Sequence, residues 1–232
     1  MIRIVHTSDP HYTGDRIQNT IIDAAFDRIH QMYPDAFVSI TGDITDNGKQ
    51  IEYQQATSKL SMFGDKLIVC PGNHDECIWG NFYNWRAKKR FEESFHNNSW
   101  PKVTLIENIA IITLDSVAHT ISPMDFACGR IGYFQRQRLN MLLDLYKGYT
   151  IIIFVHHHPF YHNKFMKLLD ADEFIKICMN RVNVLGFGHN HICRKYENIF
   201  GIDYALAAGK TTDANGKWLI TSNDDLIHVE RI

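Results

Sequence analysis

The sequence predicts an α/β fold of one domain, built on a largely parallel sheet. Three observations lead to this prediction: short apolar runs alternate with segments of helical periodicity, the apolar runs end in polar residues, and no linker-like stretch divides the 232 residues. Hydrophobic residues make up 45% and charged residues 22% of the chain, which is ordinary for a globular protein. The net charge of -2 gives no reason to expect nucleic acid, a membrane or an acidic partner.

The alternation is clearest in the first third of the chain. Residues 2–5, 36–40 and 66–70 are short apolar runs and are predicted strands. Residues 17–33 and 50–62 lie between them and are predicted helices, the first because its apolar residues recur at helical spacing. A β-α-β-α-β order predicts parallel strands joined by right-handed crossovers.

The rest of the chain continues as a mixture of strands, helices and turns. The predicted elements are a strand pair over 103–106 and 110–114, a helix over 134–146, strands over 151–155 and 182–187, and a tail in which Asn215-Gly216 indicates a hairpin turn. Residues 78–100 are rich in aromatic and basic side chains, and we expect a helical segment that caps a site. We expect a single domain over residues 1–232.

The cysteine content and the N-terminus indicate a cytoplasmic protein. The five cysteines are odd in number, scattered and without a CxxC pair, so neither a disulfide framework nor a zinc ribbon is expected. No basic segment followed by a long apolar stretch stands at the N-terminus, and we therefore expect no signal peptide. The longest apolar run, residues 151–155, is too short to span a bilayer, so we expect no membrane partner.

Histidine is unusually frequent and clustered. The chain has thirteen histidines, and several of them fall in two short stretches, residues 156–162 and 189–191. Imidazole is the commonest metal ligand among side chains and the usual proton carrier near neutral pH. The clustering therefore indicates a functional site rather than surface use, although His119 and His162, which lie in predicted loops, are more typical of the surface.

Residues that can bind metal follow five of the predicted strands. The motifs, in chain order, are Asp9-Pro10-His11, Gly42-Asp43, Gly72-Asn73-His74-Asp75, His156-His157-His158-Pro159 and Gly188-His189-Asn190-His191. Each of the first three motifs alone has ordinary turn chemistry as a competing explanation. The carboxyl ends of strands in an open α/β sheet are where ligands bind, so the ordered series predicts one convergent site.

The residue types predict a site for two metal ions. Carboxylate, imidazole and amide ligands without a thiolate favour Mn, Fe, Zn or Co, as divalent or trivalent ions. Asp43 has two carboxylate oxygens and can bridge two cations, which suits seven candidate ligands. The residues alone leave open which member of His156-His157-His158 is the ligand.

The ordered motifs DPH, GDITD, GNHD, HHHP and GHNH resemble the calcineurin-like metallophosphoesterase family, over residues 9–191. The chain is most similar to its small class III phosphodiesterases of the cyclic-nucleotide and glycerophosphodiester type. The resemblance implies a sandwich of two β-sheets flanked by helices, in four α/β/β/α layers. Pro10, the leading His156 and Phe160 depart from the pattern that is common in the family.

The resemblance also implies a role for each matching residue. Asp9, His11 and His191 would hold the first metal, Asp43 would bridge, and Asn73, His157 and His189 would hold the second. His157 is selected because the family's histidine usually stands two residues before the proline. His74 would be catalytic together with Asp43, stabilising charge or donating a proton near the leaving group. Asp75, His158 and Asn190 are expected to support ligands or contact the substrate.

The predicted reaction is hydrolysis of a small phosphodiester or cyclic nucleotide by in-line attack of a metal-bridging hydroxide. Three alternatives remain open: a phosphomonoesterase, a nuclease, and, least favoured, a catalytically silent metal-binding scaffold. The nuclease alternative rests on a segment that combines stacking surfaces with positive charge and could bind single-stranded nucleic acid. Its residues are Trp79, Phe82, Tyr83, Trp85, Arg86, Lys88, Lys89 and Arg90. An amphipathic helix with buried aromatic residues and solvated bases is the structural alternative for this segment.

Overall fold

The computed structural model describes residues 1–78, 82–117, 127–160, 163–223 and 226–232. Trp79, His119 and His162, which the sequence singles out, lie outside these residues. No helix in the described ranges is long and apolar enough to cross a membrane.

Two larger sheets and one hairpin contain the strands of the described chain. In chain order the strands are β1 Ile2–Thr7, β2 Phe37–Thr41, β3 Leu67–Cys70, β4 Cys77–Ile78, β5 Phe82–Tyr83, β6 Lys102–Ile106, β7 Ile109–Thr113, β8 Thr150–Phe154, β9 Val184–Phe187, β10 Arg194–Ile199, β11 Ile202–Ala207, β12 Trp218–Asn223 and β13 Leu226–Arg231. The first sheet has the order β13-β12-β1-β2-β3, and the second has the order β10-β11-β9-β8-β7-β6. β4 and β5 form a separate antiparallel pair.

The central strands of both sheets are parallel. β1, β2 and β3 run in one direction in the first sheet, and β7, β8, β9 and β11 do so in the second. Antiparallel pairing is found toward the sides of the sheets: β12 pairs with β1 and β13 in the first sheet, and the edge strands β10 and β6 pair with β11 and β7 in the second. The carboxyl ends of parallel neighbours meet at one edge of a sheet, which brings the loops after them together.

Six α-helices lie in the described chain. They are α1 Arg16–Met32, α2 Gln50–Leu60, α3 Asn73–Glu76, α4 Trp85–Phe95, α5 Tyr133–Leu145 and α6 Ala171–Cys178. A 3-10 segment, Ser61–Lys66, follows α2 directly. The Asp15 side chain caps α1 by accepting from the Ile17 backbone N–H, which satisfies one of the free donors in the first turn.

Three apolar clusters build the core in layers. One cluster packs the first sheet against α1 and α2, through residues such as Phe26 and Val38. A second fills the space between the two sheets, with Ile111, Phe154 and Ile220 among its members. The third packs the second sheet against α5 and α6. The predicted α/β sandwich of two sheets between helices is therefore confirmed.

The structure differs from the sequence prediction at Asn215-Gly216. No hairpin forms there, because β11 before it and β12 after it belong to different sheets. The loop closes instead on Asp213, whose carboxylate accepts from the Lys210 backbone N–H and whose carbonyl accepts from that of Gly216. The residue types at Asn215-Gly216 correctly predicted a turn. They could not predict that the strands on either side of it join different sheets.

Candidate metal centre

The backbone of the site is strained at the residues that the motifs single out. Asp9, His11, Asp43, His189 and His191 all have positive φ, between 50° and 74°. Residues other than glycine seldom adopt this region, and when they do the strain often marks a functional site. Each of these residues follows a central strand, so the chain turns sharply as it leaves the sheet and presents its side chain at the sheet edge.

A first group of side chains comes from the loops after β1 and β9. The Asp9 Oδ1 atom lies 3.3 Å from His191 Nε2 and 3.9 Å from His11 Nε2. The two imidazole Nε2 atoms are themselves 3.4 Å apart. The backbone N–H of His189 donates to Asp9 Oδ2 at 3.0 Å, which fixes the carboxylate with Oδ1 toward the imidazoles.

A second group surrounds His156, directly after the β8 strand end. The His156 Nε2 atom lies 3.1 Å from Asn73 Oδ1 and 3.0 Å from His189 Nδ1. The Asp43 Oδ2 atom lies 3.4 Å from the same His156 nitrogen. This Oδ2 atom is also 3.8 Å from His11 Nε2, in the first group. One carboxylate oxygen of Asp43 thus stands between the two groups.

His157, the ligand that the family resemblance implies, lies next to His156 at the same strand end. Its Nδ1 atom lies 2.8 Å from the Ser116 hydroxyl, and its buried Nε2 atom has no hydrogen-bond partner in the described part of the chain. Consecutive side chains at a strand end point in different directions. His156 therefore faces the loops of the first sheet, while the ring of His157 lies against Gly129. His157 remains close enough to His156 and His189 to share a metal with them.

Two glycines leave space for the carboxylates. A side chain at Gly72 would collide with the Asp43 carboxylate, and one at Gly188 would collide with Ser8 and Asp9. Both glycines belong to the predicted motifs, and their role is close approach of neighbouring loops rather than turn geometry alone.

Asp75 ties together the two loops that carry Asp43 and Asn73. Its fully buried carboxylate accepts from the backbone N–H groups of Gly72, Ile44 and Thr45, at 2.9, 3.1 and 2.8 Å. The Thr45 hydroxyl donates to it as well, at 3.0 Å. Asp75 therefore holds the loop of Asp43 against the loop of Asn73, and its part in the function stays a prediction.

Asp46 contacts both His11 and His74, although sequence reasoning did not select it. Its carboxylate lies 3.6 Å from His11 Nδ1, on the side of the ring away from the first group. Its backbone carbonyl accepts from His74 Nδ1 at 2.7 Å, which leaves His74 Nε2 free. A carboxylate behind a metal-binding imidazole is a common support, so the second aspartate of GDITD could have been suspected.

The electrostatics of the buried groups depend on one another. Burial alone would raise the pKa of Asp43, but the neighbouring His156 and His74 outweigh it and hold the pKa well below its usual value. Burial lowers the pKa of His156, but Asp43 and Asp9 outweigh it and raise the pKa to about 9. Burial and the adjacent His156 lower the pKa of His189 to about 3. Without metal, the protonated His156 therefore offsets part of the negative charge of Asp9 and Asp43.

The donor set fits a pair of metal ions. Asp9 Oδ1 is buried and has no hydrogen-bond donor among the described residues, although it faces two imidazole nitrogens. Four groups of three side chains offer ligand atoms within 4.8 Å of one another, and together they include Asp9, His11, Asp43, His74, His156, His157, His189 and His191. Imidazole, carboxylate and amide donors without a thiolate suit Mn, Fe, Zn or Co.

His158 and Asn190 are the two remaining residues that the sequence predicts for the site. His158 is buried in an aromatic cluster, with its ring centroid 4.3 Å from that of Phe187 and 6.0 Å from that of Phe160. The Phe160 backbone N–H donates to His158 Nδ1 at 3.1 Å. Asn190 is half-buried between His189 and His191, and its Oδ1 atom has no hydrogen-bond partner in the described structure.

The aromatic and basic segment after α3 forms the β4–β5 hairpin and helix α4. Phe82, Tyr83 and Trp85 are exposed, contrary to the expectation that the aromatic residues here are buried. Several bases have protein partners. Lys88 contacts Glu76, Asp115 and Glu92, Lys89 lies near Glu93, and Arg90 donates to the Gly48 carbonyl. Three basic side chains of α4 therefore interact with other residues of the protein.

The profile of the calcineurin-like phosphoesterase family matches residues 2–193 of the sequence. The chain belongs to this family. The match covers every strand end that contributes to the two groups of side chains, from Asp9 to His191, and it confirms the resemblance seen in the ordered motifs.

One curated relative is the probable glycerophosphodiester phosphodiesterase GpdQ of Arcobacter nitrofigilis. It is 33% identical over 128 residues, which cover 53% of this chain and 41% of that protein. The chain therefore matches less than half of this relative's length.

Solved structures share the fold at low sequence identity. A dimetal phosphatase from Danio rerio aligns with a TM-score of 0.69 at 14% identity, over 99% of this chain and 95% of that one. The purple acid phosphatase PPD1 from yellow lupin, Lupinus luteus, aligns with a TM-score of 0.72 at 13% identity, over 99% of this chain and 51% of that one. Both likenesses support the two-sheet architecture.

Proposed function

We propose that this protein is a phosphodiester hydrolase that uses two metal ions. The observation that carries the proposal is the position of Asp43 Oδ2, which lies 3.8 Å from His11 Nε2 and 3.4 Å from His156 Nε2. A carboxylate oxygen between two sets of nitrogen and oxygen donors is what a shared ligand requires. The chemistry that such a pair of ions supplies is activation of water and neutralisation of phosphoryl charge.

Two overlapping sets of residues would hold the ions. Asp9, His11, Asp43 and His191 would hold the first, and Asp43, Asn73, His156 and His189 would hold the second. We assign His156 rather than His157 to the second position because its Nε2 atom contacts all three partners within 3.4 Å. His157 would then support this position through its bond to Ser116.

His74 would act on the substrate rather than on a metal. Its backbone N–H donates to Asp43 Oδ1 at 2.9 Å, and its ring lies edge-on to that of His11 with centroids 4.8 Å apart. Its Nδ1–H is held by the Asp46 carbonyl, so Nε2 would bind a phosphoryl oxygen or protonate the leaving oxygen. The ring is half-buried beside the first group, where the substrate can reach it.

A small diester is the proposed substrate class. The similarity to the Arcobacter relative, a probable glycerophosphodiester phosphodiesterase, supports a diester over a monoester.

Hydrolysis of bis(4-nitrophenyl) phosphate and of 4-nitrophenyl phosphate tests the proposal. Metal-free protein should be inactive, and added Mn²⁺ should restore cleavage with a preference for the diester. Asp43→Ala should abolish this activity, while Asp35→Ala, at a largely exposed surface carboxylate, should leave it unchanged. Failure to cleave either compound with two ions bound would refute the proposal, and faster cleavage of the monoester would refute its diester part.

A further inference from the structure

A lysine of helix α4 joins two loops that come from different sheets. Lys88 Nζ lies 2.8 Å from Glu76 Oε1 and 3.1 Å from Asp115 Oδ2. Glu76 ends the short helix α3 after β3 of the first sheet, whereas Asp115 follows β7 of the second sheet. The Glu76 side chain is fully buried, and those of Lys88 and Asp115 are 20% and 11% exposed.

These two carboxylates need a cation between them. Burial raises the pKa of Glu76, and the neighbouring charge of Asp115 raises it further, while Lys88 opposes both. Because two like charges in a buried place repel each other strongly, the position of Lys88 sets how closely the two acidic side chains approach.

Each of the joined loops leads to a part of the proposed metal site. Helix α3 begins with Asn73 and His74, which stand three and two residues before Glu76. On the other side, Asp115 precedes Ser116, whose hydroxyl contacts His157 Nδ1. The proposed second metal position takes Asn73 from the first sheet and His156 from the second, so it depends on how the two sheets are placed at this edge.

We propose that Lys88 is a positioning residue for the second metal position. It holds the α3 turn of the first sheet against the loop after β7 of the second, and so keeps Asn73 opposite His156. This inference rests on the proposed two-metal site. Lys88 stands outside all five motifs and contacts no candidate ligand itself, so its effect passes through Glu76 and Asp115.

Metal titration of Lys88→Met tests the inference without substrate. Free Mn²⁺, followed by electron paramagnetic resonance, should give two dissociation constants in the wild type. In the variant, one constant should rise about 10- to 100-fold, as when a group supporting a metal ligand is lost, and the other should stay within about threefold. Lys89→Met is the matched control, because Lys89 is the next residue and its 3.6 Å pair with Glu93 is exposed. It should change neither constant.

Two further variants separate positioning from loss of folding. Lys88→Arg keeps the charge and should restore the affected constant to within about tenfold of the wild type. Glu76→Gln keeps the side-chain volume and should raise the same constant by a smaller factor than Lys88→Met. Unchanged constants in both Lys88→Met and Glu76→Gln would overturn the inference, as would an equal rise of both constants. If the wild type binds two ions but hydrolyses no substrate, the proposed function is refuted. The metal titration of the Lys88 variants would still test the positioning role, because it needs no substrate.

Discussion

Replacing Asp75 by alanine should destabilise the metal-free protein by about 3 kcal/mol near pH 7. The Asp75 carboxylate is fully buried and accepts three backbone N–H groups, from Gly72, Ile44 and Thr45. Alanine leaves these donors without an acceptor in the interior. Each unsatisfied donor costs about 1–3 kcal/mol, so the three together cost roughly 6 kcal/mol.

The same substitution also removes an unfavourable charge. Burial, and then the charge of Asp43, raise the pKa of Asp75 from 3.8 to about 6. A shift of this size corresponds to about 3 kcal/mol of cost for keeping the carboxylate ionised. Subtracting this relief from the cost of the lost hydrogen bonds leaves the net loss of about 3 kcal/mol in unfolding free energy.

The pH dependence has a definite sign. Because the pKa of Asp75 is higher in the folded than in the unfolded protein, its contribution to stability is fully present below about pH 4 and is lost as pH rises through about 6. The wild type therefore regains about 1 kcal/mol between about pH 7 and pH 5, and the variant does not. The deficit of Asp75→Ala should be larger at the lower pH.

Urea unfolding of the two metal-free proteins at both pH values measures this difference. Asp35→Ala is the control, because its side chain is 80% exposed and its ion pair with Arg3 is 3.8 Å long. This control should change the unfolding free energy by no more than about 0.5 kcal/mol. A deficit of Asp75→Ala below about 1 kcal/mol, or one that shrinks at the lower pH, would refute the reasoning.

Two other predictions concern the metal ligands. His156→Ala should lower the bound Mn²⁺ from two ions to one by elemental analysis, whereas His157→Ala should keep two, and the reverse pattern would return the ligand role to His157. Metal binding should also release a proton, because His156 has a pKa of about 9 in the metal-free protein and must bind metal as the neutral imidazole. Calorimetry should therefore show apparent Mn²⁺ affinity rising about tenfold per pH unit between about pH 6 and 8, and an affinity independent of pH would contradict this assignment.

Much of the fold followed from local patterns. The helices predicted over 17–33 and 134–146 match α1 and α5 to within one residue at each end, and the strands predicted over 103–106 and 110–114 pair as β6 and β7. No hairpin forms at Asn215-Gly216 because β11 and β12, the strands on either side, belong to different sheets. Local turn preference carries no information about which sheet a strand joins.

The sequence indicated which loops carry the candidate site, but not which side chains in them contact one another. Polar residues after parallel strands identified the loops, because such ends converge in this class of fold. The choice within His156-His157-His158 depends on the direction of each side chain after the strand ends, which the spacing to Pro159 does not determine. Asp46 could have been suspected from the GDITD motif, whereas the contacts of Ser116 and Lys88 became visible only in three dimensions.

The most direct test of the two-metal account is anomalous diffraction from crystals grown with Mn²⁺. The account predicts two peaks, both in contact with the Asp43 carboxylate. One should be held also by Asp9, His11 and His191, and the other by Asn73, His156 and His189. A single peak, or two peaks that do not share Asp43, would contradict it.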